Sequence, residues 1–320
     1  VIAARAAAWH DGQHAALEAL AYAHVSGDRD LMARLMVRHM WALHWSGRIA
    51  SLERWVRWFD EDGIRERYPS IAVLAGFLYA IDGRRHEAEL WLAAARNATV
   101  LGPMPEGSTR EAWVAILSGM LMADGVEAVE ADARIAQAGM RGDSPFMPGV
   151  RLLSTVASIA AGRLDEASGR AREAVELAEA RGAMPGYAMA AGLETALALR
   201  AGQERRARRL IESSLDKLRQ AGLVEYSLSG LVHAVAARLA MLDGSSSRAR
   251  HHMAHVHRVR PMMTAAIPWL SLTLRLEAIE ALVALGDIAS ARTLMREVED
   301  IRRVRSSLGT LGADADAMRE

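Results

Sequence analysis

Gly162-Arg163-Leu164-Asp165-Glu166-Ala167, Gly202-Gln203-Glu204-Arg205-Arg206-Ala207, Gly244-Ser245-Ser246-Ser247-Arg248-Ala249 and Gly286-Asp287-Ile288-Ala289-Ser290-Ala291 are four copies of one pattern: a glycine with alanine five places on. Gly83 with Ala88 is a fifth. The glycines belong to a series, Gly47, Gly83, Gly125, Gly162, Gly202, Gly244 and Gly286, spaced by 36, 42, 37, 40, 42 and 42 residues. A second series, Gly102, Gly142, Gly182 and Gly222, interleaves at intervals of 40. Two turn signals per period, with helix-forming sequence between them, describe an array of helix–turn–helix repeats of about 40 residues.

Apolar periodicity fixes the helical assignment. After Gly286 the apolar positions are Ile288, Ala291, Met295, Val298 and Ile301; after Gly162 they are Leu164, Ala167, Ala171, Ala174, Val175 and Ala178. Both runs trace one face of an α-helix. The first glycine of each repeat is expected to end a helix A in the left-handed conformation. The alanine five places on lets helix B approach closely. Helices A are expected near 70–82, 107–124, 146–161, 185–201, 224–243 and 265–285, with prolines between repeats and Pro148 in a first turn. Gly125 departs from the pattern, with Glu130 where alanine is expected. No strand alternation occurs, so the fold class is all-α. Residues 1–46 are helical but off-period and read as a connector from a preceding domain. Residues 47–320 form the array, with 306–320 a cap or the start of a linker.

Composition removes several function classes. The chain has 320 residues, 39 basic and 39 acidic, for a formal net charge of zero. A nucleic-acid binder needs a basic excess to displace counterions. There is no cysteine, hence no disulfide or thiolate metal site. The longest apolar run, Ile71–Ile81, is shorter than the ~18 residues a membrane span needs. Lys217 is the only lysine and has no glycine before it, so no P-loop is present. The chain opens without an initiating Met, so a longer protein is expected.

These elements together resemble the tetratricopeptide-like superhelical domain of MalT-like, LuxR-family transcriptional regulators. One stretch is Arg5-Ala6-Ala7-Ala8-Trp9-His10 with Gly12, Ala15, Ala19-Leu20-Ala21-Tyr22-Ala23 and Gly27-Asp28. Another is Gly47-Arg48, Leu52-Glu53-Arg54-Trp55, Trp58-Phe59, Tyr68-Pro69, Gly83-Arg84, Ala88-Glu89 and Trp91-Leu92-Ala93-Ala94-Ala95. A third is Ala291-Arg292-Thr293-Leu294 with Leu308-Gly309. The resemblance implies a signal-sensing piece of a cytoplasmic regulator that works with an ATP-binding module before it and a helix-turn-helix after it. The implied partners are that module, other protomers, and a small-molecule or protein signal, with no cofactor in this fragment. The alternative is a stand-alone scaffold that binds a partner peptide in its concave groove. Neither role is enzymatic.

Candidate site residues come from stacking equal offsets in successive repeats. Six places before the glycines stand Gly119, Val156, Ala196, Arg238 and Glu280; thirteen before stand Ala112, Gly149, Met189, Leu231 and Thr273. Arg238 and Glu280 are expected to pair. With Glu277 and Thr273 they form the polar end of a groove walled by Met189 and Leu231, and Trp113 lies near its inner wall. Gly83, Gly125, Gly162, Gly202, Gly244 and Gly286 are structural turns. His251, His252, His255 and His257 sit on one helix without a thiolate or Glu ligand nearby and read as a solvated face, not a metal site. Arg205, Arg206, Arg208, Arg209, Arg302, Arg303 and Arg305 read as a mixed-charge surface. Trp9, Trp55, Trp58 and Trp91 read as core. The absent P-loop and zero net charge predict that this chain binds neither ATP nor duplex DNA; calorimetry with ATP and a gel shift at low salt check it, and a salt-sensitive shift would refute it.

Overall fold

The computed structural model describes residues 1–45, 48–61, 63–99, 104–305 and 307–318, so Gly47 and Gly102 lie outside the described residues. Those residues form seventeen α-helices and no strand. Four come first: α1 (Ile2–Gly12), α2 (Ala16–Ser26), α3 (Arg29–Trp45) and α4 (Ile49–Arg57). Six helix pairs follow: α5 (Pro69–Ile81) with α6 (Arg85–Asn97), α7 (Arg110–Leu121) with α8 (Val129–Gly139), α9 (Met147–Ala160) with α10 (Leu164–Ala180), α11 (Met184–Arg200) with α12 (Glu204–Gln220), α13 (Gly230–Leu242) with α14 (Ser246–Val259), and α15 (Pro268–Ala284) with α16 (Ile288–Val304). Helix α17 (Thr310–Ala317) is the last. Among the described residues no helix is long and apolar enough to cross a membrane.

The glycines do what their spacing implies. Gly83, Gly162, Gly202, Gly244 and Gly286 have φ between 70° and 78°. At Gly162 the glycine N–H donates to the Ile159 carbonyl, and the next N–H, of Arg163, reaches back to Ser158, both at 2.9 Å. This pairing caps the two orphan carbonyls of a helix end and requires a left-handed residue. The same bonds recur at Gly83, Gly202, Gly244 and Gly286. The alanines five places on, Ala88, Ala167, Ala207, Ala249 and Ala291, are all buried.

The third repeat is built differently. There the left-handed residue is Met122, at φ 47°, and its N–H and that of Ala123 make the capping bonds to Gly119 and Ser118. Gly125 also has positive φ, 88°, but opens a 3₁₀ turn, Val126–Ala128, before α8 starts. The buried face of α8 is therefore Val129, Ala133 and Ala136. Glu130 falls off that face, which is why the alanine is missing. Pro148 lies in the first turn of α9, as expected. Pro69, Pro185 and Pro268, expected between repeats, also occupy first turns, those of α5, α11 and α15. The missing N–H costs nothing there, because it would have no intrahelical partner.

Packing places the six A helices on the inside. α5, α7, α9, α11, α13 and α15 each touch the next, while every B helix from α6 to α14 lies against its own A helix and the following one. All thirteen residues of α5 are buried. α13 is buried over Gly230–Ala237 and α15 over most of its length. One hydrophobic core runs from Ala7 through Ala315, so α1–α3 and α17 share it with the repeats.

The array also closes on itself. Thr264, in the segment between α14 and α15, donates its hydroxyl to the Gly83 carbonyl at 2.6 Å. A Cβ on Gly83 would stand 2.5 Å from the Met262 carbonyl oxygen. Arg305, just after α16, pairs with Glu89 on α6, and Ser307 donates to Glu127 at 2.7 Å. Helix α17 folds back onto α9 and α15.

Gly202 and Gly83 separate two effects. A Cβ at Gly202 meets nothing within 4 Å, so Gly202→Ala carries only the left-handed backbone cost, about 1–2 kcal/mol. Gly83→Ala adds a clash with backbone and is expected to lower the melting temperature further. Ala207→Leu is expected to cost about 1–3 kcal/mol by overpacking. Denaturant melts of the three variants check this; equal losses for Gly83→Ala and Gly202→Ala would show that the closing contact is absent in solution.

Candidate ligand-binding site

Two cavities lie along the inner helices. The first, about 280 Å³, sits where the ends of α11, α13 and α15 meet the C-terminal helix α17. Its polar lining is Arg200, Arg238, Thr273, Glu277, Glu280 and Asp314. Four candidate residues, Arg238, Thr273, Glu277 and Glu280, are thus together.

Their pairing differs from the offset argument. Arg238 donates to Glu277 at 2.9 Å and not to Glu280. Adjacent A helices are staggered, so the partner lies one turn earlier than equal offset implies. Burial pushes the Glu277 carboxyl up, and the neighbouring Arg238 opposes it. Glu280 is exposed, lines the cavity, and has no ion-pair partner among the described residues. Helix α17 is held at this mouth by Asp314, which takes a two-pronged contact from Arg200, and by Thr310, whose hydroxyl donates to the Ile159 carbonyl. Arg302 adds a second two-pronged contact, to Asp316, at 2.7 and 3.0 Å.

The remaining candidates part company. Met189 lines a second, apolar chamber of about 110 Å³ with Gly149, its counterpart in the thirteen-residue offset. Leu231 reaches neither cavity: it is fully buried and fills the space left by Gly192, where a Cβ would stand 2.8 Å from Leu231 Cγ. Trp113 is not on an inner wall either. Its ring meets Phe146 edge-on at 4.6 Å and its indole N–H donates to the Pro105 carbonyl at 3.3 Å. A fully enclosed, hydrogen-bonded indole is a packing residue. Trp55 and Trp91 are core, Trp58 is half-buried, and Trp9 is 63% exposed against expectation.

The surface arginines are mostly engaged in ion pairs. Arg206 reaches the buried Glu194 at 2.7 Å, Arg208 bridges Asp243 and Glu204, and Arg303 pairs with Asp300. Arg302 and Arg305 belong to the contacts that hold α17 and close the array.

The histidine helix is only partly a solvated face: His251 and His257 are exposed, while His252 is half-buried and His255 is buried. His255 is 6% exposed, and its ring stacks on His233 of α13 at 4.3 Å. His233 Nδ1 lies 3.1 Å from His252 Nδ1, and His251 stands edge-on to His255 at 5.1 Å. Sequence reasoning missed His233 because its stacking partner is 22 positions away on another helix. No group among the described residues has the geometry to hold a metal ion. Burial pulls the His233 pKa down to about 3, helped by His255 and His252. Burial and the neighbouring His251 pull His252 down to about 4.

With this geometry in hand, comparison adds no relative: no family model matches the chain, and neither does any curated protein.

The histidine pKa values set a pH dependence. Both are depressed from 6.5, so the folded state binds fewer protons than the unfolded chain in the window below it. Their contribution to stability is full above pH 6.5 and lost as pH falls toward 4. Asp82 and Asp132, raised to about 6 chiefly by burial, act with opposite sign: their contribution is present at low pH and lost as pH rises through 6. Comparing variants cancels that background. His233→Phe keeps the stack on His255 and is expected to melt with a smaller drop between pH 7 and pH 5 than the wild type; an identical drop would mean that His233 is protonated in the fold.

Proposed function

We propose that the chain is a tetratricopeptide-like superhelix of about 40-residue repeats that acts as the signal-sensing regulatory domain of a MalT-like, LuxR-family transcriptional regulator. The observation that carries this reading is the 280 Å³ cavity capped by α17. Its lining is mostly apolar side chains with a few convergent charges, the usual make-up of a small-molecule site. A ligand at Glu280 and Arg238 would contact α17 directly, because Asp314 and Met318 complete the wall. In regulators of that family the DNA-binding domain follows this region. Displacing α17 would therefore pass occupancy of the site to whatever follows it, and repacking it would silence the signal. The site supports binding rather than catalysis: its carboxylates are engaged with arginine or, at Glu280, open to solvent.

A peptide-binding scaffold would need an open concave groove. The inner helices are buried along most of their length, so no observation favours that alternative.

The surrounding gene tests the reading most directly. It is expected to encode a nucleotide-binding module before this chain and a helix-turn-helix after it; a gene with neither sinks the proposal. A thermal-shift screen of small polar metabolites tests the site itself, since a ligand that binds only the native state raises its melting temperature. The shift is expected to vanish in Arg238→Glu and in Glu280→Gln. A hit that survives both substitutions binds elsewhere.

A further inference from the structure

At the end of the inner helices away from α17, a vestibule of about 960 Å³ opens between α3, the first turn of α5 and the segment before α11. It leads inward to the 110 Å³ chamber, since Trp41, Pro145, Phe146 and Ala183 line both. We propose that vestibule and chamber together form a second binding site, for a small amphipathic anion: an aryl or short branched acyl group in the chamber and a carboxylate or phosphate head in the vestibule.

The chamber sets the size. A cavity on the order of 150 Å³ lined by apolar side chains takes up benzene. This one is slightly smaller, and two of its wall residues, Met120 and Met189, have the flexible thioether chains that adjust to a guest. It therefore admits one ring or a short branched chain and nothing larger. Phe77, Phe146 and Trp269 supply aromatic wall.

The chamber also carries unmet hydrogen-bonding groups. Tyr226 and Trp269 are among its wall residues, and the Tyr226 hydroxyl and the Trp269 indole N–H are buried without a hydrogen-bond partner. Trp269 is only 3% exposed. Buried donors without an acceptor are rare in folded proteins and unfavourable. A guest bearing an acceptor near its ring, such as a keto, ether or ester oxygen, would satisfy whichever of the two a side-chain adjustment brings to it.

The vestibule sets the charge. Arg34, Arg38, Arg67 and Arg181 line it against two carboxylates, Asp30 and Glu106. Arg38 is paired with Asp11. Arg181 donates to the carbonyl oxygens of Ser144 and Gly142, which hold its guanidinium without neutralising it. Arg34 and Arg67 are exposed and have no carboxylate within 4.0 Å among the described residues. Asp30 accepts from the Tyr68 hydroxyl at 2.7 Å, and Glu106 accepts from Ser144. The mouth is left with a net positive charge beside an apolar pocket.

Gly149 provides a clean test. It lines the chamber, and a Cβ built on it meets nothing within 4 Å. Gly149→Leu should fill the chamber while improving helix propensity; Met189→Phe fills it from another wall and serves if the first variant fails to fold. Calorimetry on the whole chain would use phenylacetate, phenyl phosphate, benzyl alcohol and inorganic phosphate as probes. At least one aryl anion is expected to bind about ten-fold or more tighter than either half-probe, from its added charge-assisted contacts. Which anion wins distinguishes a carboxylate from a phosphate head. Binding is expected to fall about ten-fold in Arg34→Ala/Arg67→Ala, as those contacts are lost, and to vanish in the chamber-filling variant. Aryl anions that bind no better than benzyl alcohol and phosphate, or wild-type affinity in a folded chamber-filling variant, would overturn the proposal. These measurements need only this chain, so they stand apart from whether it regulates transcription.

Discussion

In five of the six pairs the A helix stops at a left-handed glycine, and the next helix begins two residues later and sets a buried alanine against its partner. Both halves of that constraint are needed. The left-handed backbone reverses the chain while satisfying the end carbonyls. The buried alanine, as at Ala167 and Ala207, lets the returning helix lie close enough to exclude water between the two. Given close pairs, the A helices can stack on one another, and a continuous interior follows. The 280 Å³ and 110 Å³ cavities lie where side chains of the A helices leave that interior unfilled.

The fold was legible because its signals are local. Glycine spacing and apolar period involve residues a few places apart, and the expected A helices agree with the observed ones to within a few residues. α13 is the exception: it starts at Gly230, not near 224, because a 3₁₀ turn, Ser227–Ser229, precedes it. The third repeat misled for a physical reason. Met122 adopts a conformation expected of glycine, and no propensity argument assigns a methionine there. The surrounding packing holds it, since Met122 is 1% exposed.

The site was half legible. Stacking equal offsets gathered Arg238, Thr273 and Glu280, beside which Glu277 stands one turn earlier as the actual partner of Arg238, and also led to Gly149 and Met189. It failed at Leu231, because offset gives the face of a helix and not how far the neighbouring side chain fills the gap. The Gly192 space that Leu231 enters is an example. What offset could not supply at all was long-range closure. Arg200 with Asp314 and Trp41 beside Phe146 are joined by contacts between elements far apart in the chain, to which no short window of sequence refers.

That curl has a further consequence. A linear repeat protein has two ends, and its terminal units fray because each has only one neighbour. Here the turn at Gly83 rests on the segment that carries Thr264, and the stretch after α16 ties back to α6 through Arg305 and Glu89. A chain joined this way has no free terminal unit among α5–α16, so a loosened repeat must break its bonds on both sides at once. Strain introduced at any one unit is then shared around the circuit rather than released at an end, and the array behaves as a hoop instead of a spring.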